Sequence, residues 1–154
     1  EGDPMALAEL SGGSVGAAVR LLNLGGLRTY AEVVGLCETL PRLDQSRALK
    51  LAESAAMRGA EDRRDLLFSL VDLFMMRLAR TGALGAPPGV EAVPGEAALL
   101  ARLAPDAAHG RAWAECAQEI GARARHGRAV NLDPASLVLD TLFRIQQTAR
   151  GQPR

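Results

Sequence analysis

Aromatic side chains are scarce in this chain: they make up 3% of its 154 residues, as one Trp, one Tyr and three Phe. Runs of alternating β-branched residues are absent, which removes the pattern expected of a half-buried sheet. No apolar run is long enough to span a bilayer, and no signal-peptide pattern opens the chain. An excess of one charge is also missing, since 18 Lys and Arg balance 18 Asp and Glu. A domain whose main work is gripping a nucleic-acid backbone usually carries a basic excess. Cysteines number two, Cys37 and Cys116, both among apolar residues at helical positions. They read as small core hydrophobes of a reducing, cytoplasmic compartment and do not make a disulfide framework.

Catalytic sets are lacking as well. His109 and His126 are the only histidines, and each lies beside a glycine. A metal site built on His109 and Cys116 would need two further ligands, and the sequence offers none at ligand spacing. There is no Gly-x-x-x-x-Gly-Lys-Ser/Thr phosphate loop. Glu61, Asp62 and Asp65 read as a helix start, where carboxylates complement the dipole.

What is present is alanine, leucine and arginine, residues at the top of helix propensity. The length suffices for one domain with a real core, or one domain plus a small appendage. Apolar periodicity and cap signals predict an all-α helical bundle with helices over 4–10, 14–24, 27–40, 44–58, 62–80, 96–103, 105–127 and 134–149. Asp44 and Asp133 are expected N-caps, Pro134 a first helical residue and Gly59 a C-cap. The stripe Trp113, Cys116, Ala117, Ile120 and Ala124 is the expected inner face of the seventh helix. Residues 81–95 hold four glycines and three prolines and read as a mobile loop or variable insertion. The fifth helix is apolar around most of its circumference, the mark of a helix central to a bundle or lying in an interface. The opening Glu1-Gly2-Asp3-Pro4 has no initiator Met and reads as the cut end of a longer chain. Gly151-Gln152-Pro153-Arg154 reads like a natural C-terminus.

The most informative segment is Leu10-Ser11-Gly12-Gly13-Ser14-Val15-Gly16-Ala17-Ala18-Val19-Arg20. A glycine-serine turn opens there into a small-residue helix, with Ser14 placed to cap it. Such a turn presents backbone N–H groups at the positive end of a helix dipole, where an anion or a closely packed backbone fits.

The stretch from Leu10 to Ala18 resembles the Leu-Ser-x-Gly-Ser-Pro-Gly-x-Ala element of the delta-prime subunits of the bacterial DNA polymerase III clamp loader. Leu40-Pro41, then Val130-Asn131-Leu132-Asp133 and the closing helix with Leu137, Leu139, Leu142, Phe143, Arg144 and Ile145, are similar to later parts of the same family. The resemblance is weak between Gly82 and Gly95, and Val15 stands where the family often has proline. It implies that 1–25 is the end of an AAA+ lid with a sensor-2-like helix, and 26–154 a helical collar through which subunits assemble. The related ATPase subunits carry a phosphate-sensing arginine in the slot held here by Gly16. The motif Gly13, Ser14, Gly16 and Arg20 is therefore degenerate, and neither a nucleotide nor another cofactor is expected.

The implied function is assembly. The chain would be a non-catalytic part of a DNA polymerase, a nucleotidyltransferase of DNA replication. Its partners would be the tau/gamma and delta subunits through the collar, and the sliding clamp and primed DNA only through the whole complex. A membrane partner is not expected. Phe74, Met75 and Arg77 on the fifth helix and Phe143 and Arg144 on the last are the candidate interface, because the apolar surface of those helices exceeds what a small bundle buries. A helical nucleic-acid-binding module, motivated by mostly arginine basic residues, is the alternative. A small helical enzyme, motivated only by the Gly12-Gly13-Ser14 turn, is the third reading.

Overall fold

A computed structural model describes residues 2–151, and among them there are eight α-helices and no strand. They are α1 (Pro4–Ser11), α2 (Val15–Asn23), α3 (Gly26–Cys37), α4 (Gln45–Ala56), α5 (Glu61–Leu84), α6 (Glu96–Leu103), α7 (Ala107–Ala129) and α8 (Pro134–Gly151). The all-α bundle read from the sequence is thus observed. Residues Gln152, Pro153 and Arg154, part of the expected C-terminal tail, lie outside the described residues.

The caps explain where several helices begin. Asp3, Ser14, Asp44 and Asp106 each accept a backbone N–H with the side chain from inside the first turn, and Asp133 accepts the N–H of Ser136 at 2.9 Å. Pro134 occupies the first position of α8, where its missing N–H costs nothing. The third helix ends at Cys37, earlier than expected. A turn carrying Leu40 and Pro41 follows it, with the Thr39 hydroxyl donating to Leu36 O.

Helix α5 is the central element. It packs against α3, α4 and α6, and most extensively along α7. Its apolar girdle is consumed by these neighbours: Leu66, Leu67, Leu70, Val71, Phe74, Met75 and Leu78 are all buried. The inner stripe of α7, from Trp113 to Ala124, is buried as expected, and the Trp113 indole Nε1 donates to Leu103 O at 2.8 Å. A continuous hydrophobic cluster runs from Leu10 and Leu21 through Tyr30 and Phe74 to Ile145.

The expected boundary of α5 was one turn too short. The helix continues through Leu84, because Gly82 serves a close crossing and not a turn. A Cβ on Gly82 would lie 2.6 Å from the Cα of Gly110 on α7, so both glycines let the two backbones touch. Asp65 at the start of α5 lies near Arg128 at the end of α7, so the pair is antiparallel. The following segment is also not the free loop expected. Ala92 and Val93 are buried, and backbone groups of Val90 and Ala92 bond to Arg77 and Glu96.

Candidate functional site

The glycine-serine turn is formed as the sequence suggested, but its amides are already used. Gly12 and Gly13 adopt φ of 59° and 81°, a region open to glycine without strain. The Gly13 N–H donates to Ala8 O at 3.2 Å and the Ser14 N–H to Ser11 O at 3.1 Å. The Ser14 hydroxyl accepts from the Ala17 N–H at 3.3 Å, and the Ala18 N–H donates to Ser14 O at 3.0 Å. Only the first two amides of α2, those of Val15 and Gly16, are left toward solvent, where both residues are exposed. Two adjacent amides without a side-chain cation make a weak anion cradle.

Arg20 is exposed and lines a shallow groove between α2 and α5 together with Asp72 and Met76. Gly16 does not line that groove. The outer face of α2 is apolar instead, with Val15, Val19 and Leu22 all exposed.

The candidate interface divides into two groups. Phe74 and Met75 have no accessible surface and Arg77 only 7%, so none of them is available to a partner. The sequence reading placed them outward because α5 is apolar nearly all round. Four neighbouring helices account for that pattern. Phe143 is 41% exposed and remains on the surface. Arg144 is half-buried on α8, where Nη1 donates to Glu119 Oε1 of α7 at 2.8 Å. Beside it, Arg123 of α7 donates twice to Asp140 of α8, at 2.8 and 2.9 Å. These bonds hold the Asp140 carboxyl below its ordinary range, the Arg123 hydrogen bond being the main cause.

Arg77 belongs to a buried polar cluster that sequence reasoning missed. Glu96, at the first position of α6, is fully buried. Its Oε1 accepts from Arg77 Nη2 at 2.7 Å and from the Ala92 N–H at 3.0 Å, and its Oε2 from Arg77 Nε at 3.1 Å and from the Tyr30 hydroxyl. Arg77 also donates to Val90 O at 2.9 Å and to Glu9 Oε1 of α1 at 2.8 Å. One guanidinium thereby ties together α1, α5, α6 and the segment before α6. Burial alone would lower the Arg77 pKa, but its bonds to Glu96 and Glu9 outweigh that and raise it. Burial is also the leading cause that pushes the Tyr30 phenol up, with the Glu96 bond adding to it. The only signal in the sequence was an arginine on an otherwise apolar helix face. Its partner lies 19 residues on, beyond any local spacing rule.

Chemically this cluster is closed. Every oxygen of Glu96 is saturated, and Glu96, Arg77 and Tyr30 are all buried, so none of these three is presented to solvent as a base or nucleophile. Cys37 is buried with its thiol pushed up to about 12 by desolvation, which makes it unreactive. Burial likewise raises the Cys116 thiol. His109 lies against Asp106, whose carboxyl is held low first by the backbone N–H of His109 and then by its ring. Among the described residues, no group of three or more His, Cys, Asp or Glu converges on one point. No single helix there is long and apolar enough to cross a membrane.

No family model, curated protein or solved structure matches this chain.

Proposed function

We propose that this chain is a non-catalytic assembly domain, the collar region of a delta-prime-like clamp-loader subunit with the end of an AAA+ lid at its start. The observation that carries the proposal is the turn from Gly12 to Ser14 opening α2, whose amides serve the protein's own backbone while Gly16 fills the slot of a phosphate-sensing arginine. An element of that shape without its reactive side chain suits a stator that joins two modules. The saturated state of the Glu96 cluster agrees with a role that needs rigidity and no chemistry.

In this reading the chain works in the cytoplasm during DNA replication and hydrolyses nothing itself. It binds tau/gamma and delta through its helical surface. It meets the sliding clamp and primed DNA only within the whole complex. The test is to mix the chain at micromolar concentration with those subunits and follow size exclusion. Co-elution with tau/gamma or delta is expected. Elution of the chain alone in every mixture would overturn the proposal.

A further inference from the structure

We propose that the turn between α3 and α4 carries a contact surface for the phosphate backbone of a double-helical nucleic acid. Four arginines meet there. Arg42 lies in the turn itself, Arg47 in the first turn of α4, Arg102 in the last turn of α6 and Arg150 in the last turn of α8, and all four are exposed. Arg102 donates from Nη1 to Leu40 O and from Nη2 to Glu38 O, each at 3.1 Å. Arg150 donates from Nε to Pro41 O at 3.0 Å, and Arg47 from Nη1 to Gly35 O at 3.2 Å. Arg42 makes no side-chain bond among the described residues. These bonds satisfy carbonyls at and beyond the end of α3, which any neutral donor could do. They leave the charge unanswered. Elsewhere Arg123, Arg128 and Arg144 each face a carboxylate, whereas none of these four is in an ion pair among the described residues. Like charges gathered on one turn repel one another, and an anion from outside relieves them.

The two carboxylates of the turn serve elsewhere. Asp44 Oδ1 accepts the Arg47 N–H at 3.1 Å as the cap of α4, and Glu38 Oε1 would lie 3.3 Å from a Cβ on Gly95, at the opposite end of α6 from Arg102. Anchoring at one nitrogen leaves the rest of a guanidinium free. Both Nη atoms of Arg150, Nε and Nη2 of Arg47 and the whole Arg42 fork have no bond among the described residues. A fork held in this way has less freedom to lose on binding, and its plane matches a phosphate. Residues 38–44 include no aromatic side chain on which an unstacked base could rest, which favours a duplex over a single strand. Leu40 and Leu43 are buried, so the turn offers no apolar side chain to insert into a bilayer or to anchor an acidic peptide. Contact with phosphates alone is blind to sequence. The chain as a whole is neutral, so this surface adds a salt-sensitive contact and is no self-sufficient grip. The array is present whether or not the chain joins a ring, so it goes beyond the assembly reading and does not rest on it.

The test follows the anisotropy of a fluorescent DNA duplex of about 20 base pairs as the chain is added, starting at about 20 mM salt. Saturable binding is expected, and with four phosphate contacts a fourfold rise in salt should weaken it about 100-fold. Arg42→Gln with Arg150→Gln removes two contacts, so the same rise should then cost only about tenfold. Arg42 holds no part of the fold, and circular dichroism checks that the pair of changes leaves the helices intact. Arg58→Gln with Arg63→Gln removes equal charge beyond the other end of α4 and should keep the wild-type salt dependence. No saturable binding at the lowest salt would overturn the proposal. So would an unchanged salt dependence in the Arg42 and Arg150 variant, or an equal loss in both double variants, which would reduce the effect to overall charge. Polyglutamate that binds wild type as tightly as the duplex does would also overturn it, in favour of an acidic peptide.

Discussion

Helix α5 treats charge in two opposite ways. On one side Arg77 is buried, and its partners Glu96, Glu9 and Val90 O saturate it. On the other side Asp72 stands exposed and without an ion pair among the described residues. A buried ion needs every partner in place, because desolvation exceeds what one poor contact returns. An exposed ion loses little by being unpaired, so it stays available to something outside the chain. The same residue types are therefore fixed by the fold on one face and left to solvent on the other, and burial decides which.

The largest expected effect comes from breaking the closed face. Glu96→Ala removes the acceptor of the buried Tyr30 hydroxyl and of two Arg77 bonds, leaving the guanidinium with Glu9 and Val90 O alone. The cost expected for breaking a buried pair is about 3–5 kcal/mol, read as a fall in the urea midpoint. The triple variant Tyr30→Phe, Arg77→Met, Glu96→Leu removes the charges together and should lose less than Glu96→Ala alone. Equal stability of Glu96→Ala and wild type would show that the cluster is dispensable, and the contrast between the two faces would collapse.

Next in size is the close crossing of α5 and α7 at Gly82 and Gly110. Gly82→Ala would place its Cβ 2.5 Å from Asp106 O and 2.7 Å from Gly110 N, both backbone atoms that cannot rotate away. Overpacking of this kind costs about 1–3 kcal/mol. Thermal unfolding checks the loss, and an unchanged melting temperature would show that the two backbones can part without cost.

The sequence made the periodic parts of this fold legible. The stripe from Trp113 to Ala124 on α7, the Asp44 cap and the Asp133-Pro134 helix start were readable because each depends on residues within one or two turns. Three features were not readable for the opposite reason. Gly82 looks like a loop glycine until Gly110 is brought against it. Phe74 and Met75 look like interface residues until α3, α6 and α7 surround their helix. Arg77 looks like a surface cation until the chain folds Glu96 and Glu9 onto it. Of the candidate site, the Gly12–Ser14 turn was legible as a shape, whereas the occupation of its amides was visible only in three dimensions.

The closed face also leaves a signature in alkali. The Cys37 thiol is raised to about 12 by burial, whereas an unfolded thiol ionises near ~8.5. Above the lower value the unfolded chain releases a proton that the folded chain keeps. Unfolding then becomes easier as pH rises, by at most roughly 1.4 kcal/mol per pH unit for each such group, and the effect is complete at the folded value. Cys116 is shifted in the same direction and adds to the slope. Cys37→Ala should therefore flatten, without abolishing, the fall in urea midpoint between about pH 9 and pH 10. An unchanged slope would mean that water reaches Cys37 in the folded state, against the dry packing argued for that face.

The smallest effect belongs to the turn. Ser14→Ala removes the hydroxyl that accepts the Ala17 N–H at 3.3 Å on an exposed helix start, a bond at the long end of the normal range. Loss of such a cap costs about 0.5–1 kcal/mol, well below the Glu96 effect. If the turn is only a structural joint, neither wild type nor Ser14→Ala should shift in melting temperature when millimolar ATP or inorganic phosphate is added. A shift in wild type that Ser14→Ala abolishes would make the Val15 and Gly16 amides a working anion site. The exposed start of α2 would then be a ligand site in spite of the Gly16 that stands in the arginine slot.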